Sequence, residues 1–152
     1  MTIAGESIDR DKKTVWRLIL KIVVCGTYGD MKHFNEVLKH FRGKYGEQNV
    51  FPDADHLERS RPCIEAHHEG KCETAETVKI RSELMKMYFS QIDKADLIVI
   101  VNEKKGREYY GVGTTIELGY AFAKDKRIHF TMKPTNPNIL SLLTTKANSF
   151  DM

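Results

Sequence analysis

Two segments of the sequence are apolar without alternation. Leu18-Ile19-Leu20-Lys21-Ile22-Val23-Val24-Cys25 runs into Gly26-Thr27-Tyr28-Gly29-Asp30, and Leu97-Ile98-Val99-Ile100-Val101 lies between Asp96 and Asn102. A strand with one face in water alternates, whereas a strand apolar at nearly every position must be covered on both faces, as in the middle of a parallel sheet. Helical spacing lies between the two runs. Phe34, Val37, Leu38 and Phe41 share one side of a segment from about Asp30 to Arg42, which Gly43 and Gly46 close; Arg81, Leu84, Met85, Tyr88, Phe89 and Ile92 do the same within Thr74–Asp93. Shorter strands are expected at Asn49–Pro52 and Arg127–Met132, a helix from Thr114 to about Lys124, and a last helical turn near Asn138–Leu143. Strands alternating with helices of this length form right-handed βαβ units, so the expected fold is a three-layer α/β sandwich around a parallel sheet of about five strands.

With 152 residues, the chain has the size of one domain. Residues 14–152 are read as that domain and the polar stretch 1–13 as a leader. The composition, 41% hydrophobic and 30% charged, excludes a disordered chain. No apolar run reaches the ~18–20 residues of a membrane span, and the leader lacks the apolar stretch of a signal peptide. An odd cysteine count of three then points to a reducing cytoplasm. The net charge of +3 is mild, and no basic stripe interleaved with aromatics appears, so a nucleic-acid polymer is not an expected partner.

Parallel sheets bind ligands beyond the carboxyl ends of their strands, where strand order reverses. The segments expected there are Gly26–Met31 and Asn102–Thr115. Gly26, Thr27, Tyr28, Gly29 and Asp30 form a short glycine turn able to offer backbone amides to a phosphate or ribose. In the second segment, Gly111 and Gly113 allow close backbone approach and Thr114 opens a helix whose free N–H groups attract an anion. Glu117 falls in the first turn of that helix and has two readings. Thr114-x-x-Glu117 matches a capping box, and the same carboxylate at the mouth of the sheet suits catalysis. Gly119, costly inside a helix, suggests close packing against a neighbour. Asp53–Glu73 is polar, carries little periodicity and reads as a long loop of the kind that is often functional. Within it, Cys63, His67, His68 and Cys72, with His56 nearby, are metal-ligand types at a spacing that matches no usual zinc framework, so no metal is expected.

Together these pieces resemble the nucleoside 2-deoxyribosyltransferase-like superfamily, which includes the 2′-deoxynucleoside 5′-monophosphate N-glycosidases. The resemblance rests on Ala95-Asp96-Leu97-Ile98-Val99, then Gly113-Thr114-Thr115-Ile116-Glu117-Leu118-Gly119-Tyr120-Ala121 and Lys126-Arg127-Ile128, with Cys25-Gly26-Thr27 as the first-strand turn. It implies a flavodoxin-like (Rossmann-like) fold, a homodimer or higher oligomer with sites near the subunit interface, a small nucleoside or nucleotide substrate and no cofactor. It also implies that Glu117 is the nucleophile attacking C1′, in a hydrolase or a transferase. In transferase members an Asp stands eight residues before the Asp of the A-D strand, and another six before the nucleophile; Tyr88 and Gly111 occupy those places here. Leaving-group protonation then falls to Tyr28, Tyr88, His68 or water, with Tyr88 placed beside Glu117 as a catalytic candidate. Gly111 in place of an acid suits a 5′-phosphate. A non-catalytic nucleotide-binding module using the same cleft is the alternative.

Overall fold

Successive residues of a strand face opposite sides, and in β1 (Ile22–Gly26) both sides are buried: Ile22 and Val24 enter one apolar cluster, Val23 and Cys25 another. In the computed structural model, which describes residues 20–70 and 73–144, β1 pairs in parallel with β2 (Val50–Phe51) on one side and β3 (Leu97–Val101) on the other. A later strand, β6 (Ile128–Phe130), adds in parallel to β3, giving the order β2-β1-β3-β6. The parallel sheet therefore has four strands among the described residues rather than about five. The leader, Leu18, Ile19 and Cys72 lie outside the described residues.

Helix α1 (Met31–Tyr45) lays Phe34 and Leu38 on the face that carries Ile22, Val24, Val99 and Val101. It starts at Asp30, whose side chain accepts from the His33 amide, and ends at Gly46, where a φ of 94° stops the helix with its N–H on the Arg42 carbonyl. The opposite face is covered by α3 (Ala75–Lys94) through Tyr88 and Ile92, and by α4 (Val112–Ala123) through Leu118 and Ala121. A final helix, α5 (Pro137–Thr144), adds Ile139 to that cluster. The result is the three-layer α/β arrangement of flavodoxin-like folds. No helix among the described residues is long and apolar enough to cross a membrane.

Two segments depart from the sequence reading. Residues 54–68 form helix α2 (Ala54–His68), not a loop. Asp53 caps it, accepting from the His56 amide at 2.8 Å, and the residues it buries are His56, Ser60 and Cys63. Their spacing is helical but their chemistry is polar, so no apolar stripe announces the helix, and Pro62 in its middle argues against one. The segment after β3 forms a small antiparallel hairpin of β4 (Glu103–Lys104) and β5 (Arg107–Glu108).

Candidate active site

The chain runs from β1 to β2 on one side and returns to β3 on the other, so strand order reverses between β1 and β3. A cavity of about 580 Å³ opens beyond the carboxyl end of β1 at this reversal. Gly26, Thr27 and Tyr28 form one part of its wall, and Gly111, Gly113, Thr114 and Glu117 another. Much of the remainder comes from α2 and α3, including His56, Ser60, Arg81 and Tyr88.

Glu117 is 7% exposed. It does not belong to a capping box: the helix starts at Gly111, six residues upstream, and no side chain caps it. Thr114 and Glu117 are therefore inside the helix rather than at its boundary, and the reading of the carboxyl as a cap is corrected. Gly111 instead accepts the Thr115 amide and hydroxyl, each at 2.9 Å, on its carbonyl. Burial pushes the Glu117 carboxyl up to about 8, partly offset by a hydrogen bond with the Cys25 thiol. The thiol, wholly buried, is itself raised well above its usual range by burial and by the neighbouring carboxylate.

The first-turn amides of α4 have no intrahelical acceptors, and the residues that carry them line the cavity. A Cβ on Gly113 would meet only the tip of Met85 at 3.9 Å, and one on Gly111 would lie 3.5 Å from Thr27. These glycines thus leave the backbone open to the cavity. Gly26 serves the packing instead. A Cβ there would lie 2.8 Å from Val101 Cβ and 2.9 Å from the Phe34 ring, so its smallness lets α1 approach the sheet. Among the described residues nothing lies within 4 Å of a Cβ on Gly119, so the expected close packing is absent there.

Tyr28 and Tyr88 are joined at 3.2 Å through their hydroxyls, and Tyr88 donates to the Val24 carbonyl, also at 3.2 Å. The single Tyr88 proton goes to that carbonyl, so the Tyr28 proton is directed at the Tyr88 oxygen. Burial raises both phenols above their usual range.

Other expected binding residues lie apart from the cavity. Asn102 is fully buried and its amide is spent on the fold: it donates to the Met132 carbonyl at 2.8 Å and to Tyr110 at 3.1 Å, and accepts from the Met132 amide at 2.9 Å. It ties the end of β3 to the segment after β6. Asp30 caps α1 and does not line the cavity.

The α2 wall is the part that sequence reasoning missed. His56, Ser60, Cys63 and His67 all line the cavity at steps of four, three and four. Burial pushes His56 down to about 4; its ring meets Phe51 and Tyr88 edge-on at 4.7 and 5.0 Å, and its Nδ1 has no hydrogen-bond partner among the described residues. The available signal was Asp53 as a helix cap followed by that spacing. Among the described residues no group of three or more His, Cys, Asp or Glu is placed to hold a metal ion. At the mouth, Arg81 bonds Glu73 at 2.7 Å, and the side chains of Val78, Tyr109, Val112 and Ile116 are exposed.

No family model matches the chain, and no curated protein matches it. Among solved structures it is similar to a 2-desoxiribosyltransferase from Leishmania mexicana. The two are 23% identical with a TM-score of 0.42, over 80% of this chain and 70% of that one.

Proposed function

We propose that the cavity cleaves the N-glycosidic bond of a nucleoside or its 5′-monophosphate, with the Glu117 carboxylate attacking C1′. The observation that carries this reading is the position of Glu117. Its carboxyl is buried in the cavity wall, is not consumed by a helix cap, and follows a glycine-bearing, uncapped helix start. Attack on C1′ traps an oxocarbenium-like centre as a glycosyl ester, replacing one difficult displacement by two easier ones. Water then completes a hydrolase, or a second base completes a transferase. The α4 N-terminus suits a 5′-phosphate, because its amides and dipole favour an anion there.

Incubation with nucleosides and their 5′-monophosphates should release free base, and Glu117→Gln should abolish the release. Full release by Glu117→Gln would end the reading. Binding without turnover is the second reading. It is favoured by the same burial, which keeps Glu117 mostly protonated at pH 7 in the free protein. A ligand-induced thermal shift without product would establish it. The proposal includes pairing of copies of the chain, with the exposed Val78, Val112 and Ile116 at the mouth as its apolar contact, and sedimentation tests it.

A further inference from the structure

Breaking an N-glycosidic bond leaves an electron pair on the base nitrogen. A neutral base takes that pair readily only when a proton arrives with it, and general acid help of this kind is commonly worth about 10²–10⁴-fold. The inner wall of the cavity holds few protons to give. Tyr88 donates its own to the Val24 carbonyl, and Tyr28 is directed at Tyr88. Ser60 donates to the His56 carbonyl at 2.7 Å. His56 is neutral, since burial pushes it down to about 4. Among the described residues lining the cavity, the only carboxyl besides Glu117 is Glu73, held by Arg81 at 2.7 Å and by the Thr77 hydroxyl at 2.5 Å. At the mouth, His67 and His68 stand exposed on the last turn of α2 and Tyr109 ahead of α4, with His68 Nε2 3.4 Å from the Tyr28 carbonyl oxygen.

We propose that the cavity takes nucleotides whose base already carries a positive charge, either a pyridinium or an N7-alkylated purine. The inference rests on the reading of Glu117 as nucleophile. A cationic base leaves without a proton, so the wall needs no acid to serve it. The same charge answers the burial of Glu117. A cation within about 4–6 Å favours the carboxylate over the acid. Substrate binding therefore drives the Glu117 proton to solvent and generates the nucleophile that the free, mostly protonated side chain does not supply. The C1′–N bond breaks with its electron pair going to the ring nitrogen, which neutralises the base. A carboxylate oxygen of Glu117 gives a pair to C1′ and forms the ester. Water then attacks C1′ and the ester C–O bond breaks. Sugar phosphate and carboxylate are released, and the proton from water passes to solvent.

The test compares 7-methylguanosine 5′-monophosphate with guanosine 5′-monophosphate, a pair differing by one methyl and one charge, and adds nicotinamide mononucleotide. Base release is followed by chromatography against protein-free controls, with wild-type protein and with Glu117→Gln. Release from at least one cationic substrate should exceed release from guanosine 5′-monophosphate by at least about 10²-fold in kcat/KM. Which cationic substrate reacts identifies the source of the charge. Equal or faster release of guanine, lost in Glu117→Gln, would overturn the cationic-base assignment and leave the nucleophile in place. Release that persists in Glu117→Gln, or no release from any of the three, would overturn both.

Discussion

The phenol oxygens of Tyr28 and Tyr88 lie 3.2 Å apart, and the Tyr88 proton is committed to the Val24 carbonyl. Tyr88 thus orients Tyr28 from within the core while its ring packs against Phe51 and His56. Tyr88→Phe keeps the ring and removes two hydrogen bonds, the one to the Val24 carbonyl and the one from Tyr28. It should cost about 1–3 kcal/mol in urea denaturation and leave base release within about tenfold of wild type. A direct acid role for Tyr88 would instead show as a loss of about 10²–10⁴-fold.

Glu117 and His56 make opposite contributions to stability against pH. The Glu117 carboxyl is raised from 4.5 to about 8, so the folded chain holds one proton more than the unfolded chain in that window, and stability falls as pH rises through it. His56 is lowered from 6.5 to about 4, so the unfolded chain holds the extra proton there, and stability rises with pH. The two slopes cancel between roughly pH 4.5 and 6.5 and leave the Glu117 slope alone from 6.5 to 8. The unfolding free energy from urea denaturation should therefore be flat over the first window and decline over the second, by on the order of 1 kcal/mol per pH unit. In Glu117→Gln the decline should vanish and a rise below pH 6.5 should emerge; a wild-type decline that survives the substitution would contradict the assignment.

Asn102 is predicted to be a structural clamp. Asn102→Ala strands the Met132 amide and carbonyl in a half-buried position and should cost roughly 1–3 kcal/mol by chemical denaturation. Because the side chain lies outside the cavity, KM measured on the folded fraction should stay within about twofold of wild type. A rise in KM of tenfold or more would return Asn102 to the binding site.

Gly26 and Gly119 should respond to alanine with opposite signs. At Gly26 the new methyl meets Val101 and Phe34 below 3.0 Å, and neither a strand backbone nor a buried ring yields easily, so Gly26→Ala should lose about 1–3 kcal/mol. At Gly119 the methyl enters open space on an exposed helical position, and Gly119→Ala should gain about 0.5–1 kcal/mol. Thermal melts of the two variants would show the contrast. A destabilised Gly119→Ala would mean that another copy of the chain packs on that surface.

The sheet and most of its helices were legible in the sequence because each announces its own burial. β1 and β3 are apolar at nearly every position, which only a doubly covered strand requires, and α1 and α3 carry apolar residues at helical steps. The glycine-bearing start of α4 was legible for a similar local reason, since free helix amides and glycine are visible in order along the chain. The α2 wall was not, because residues that face a cavity need not be apolar, and periodicity of hydrophobicity is silent about His56, Ser60 and Cys63. Nor does spacing say whether a glycine faces a packed ring, as at Gly26, or open space, as at Gly119. The protonation of Glu117 lies furthest from the sequence. An isolated glutamate ionises near pH 4.5, and only the surfaces that β1, α2 and α3 bring around this one, removing its water, keep it protonated at neutral pH.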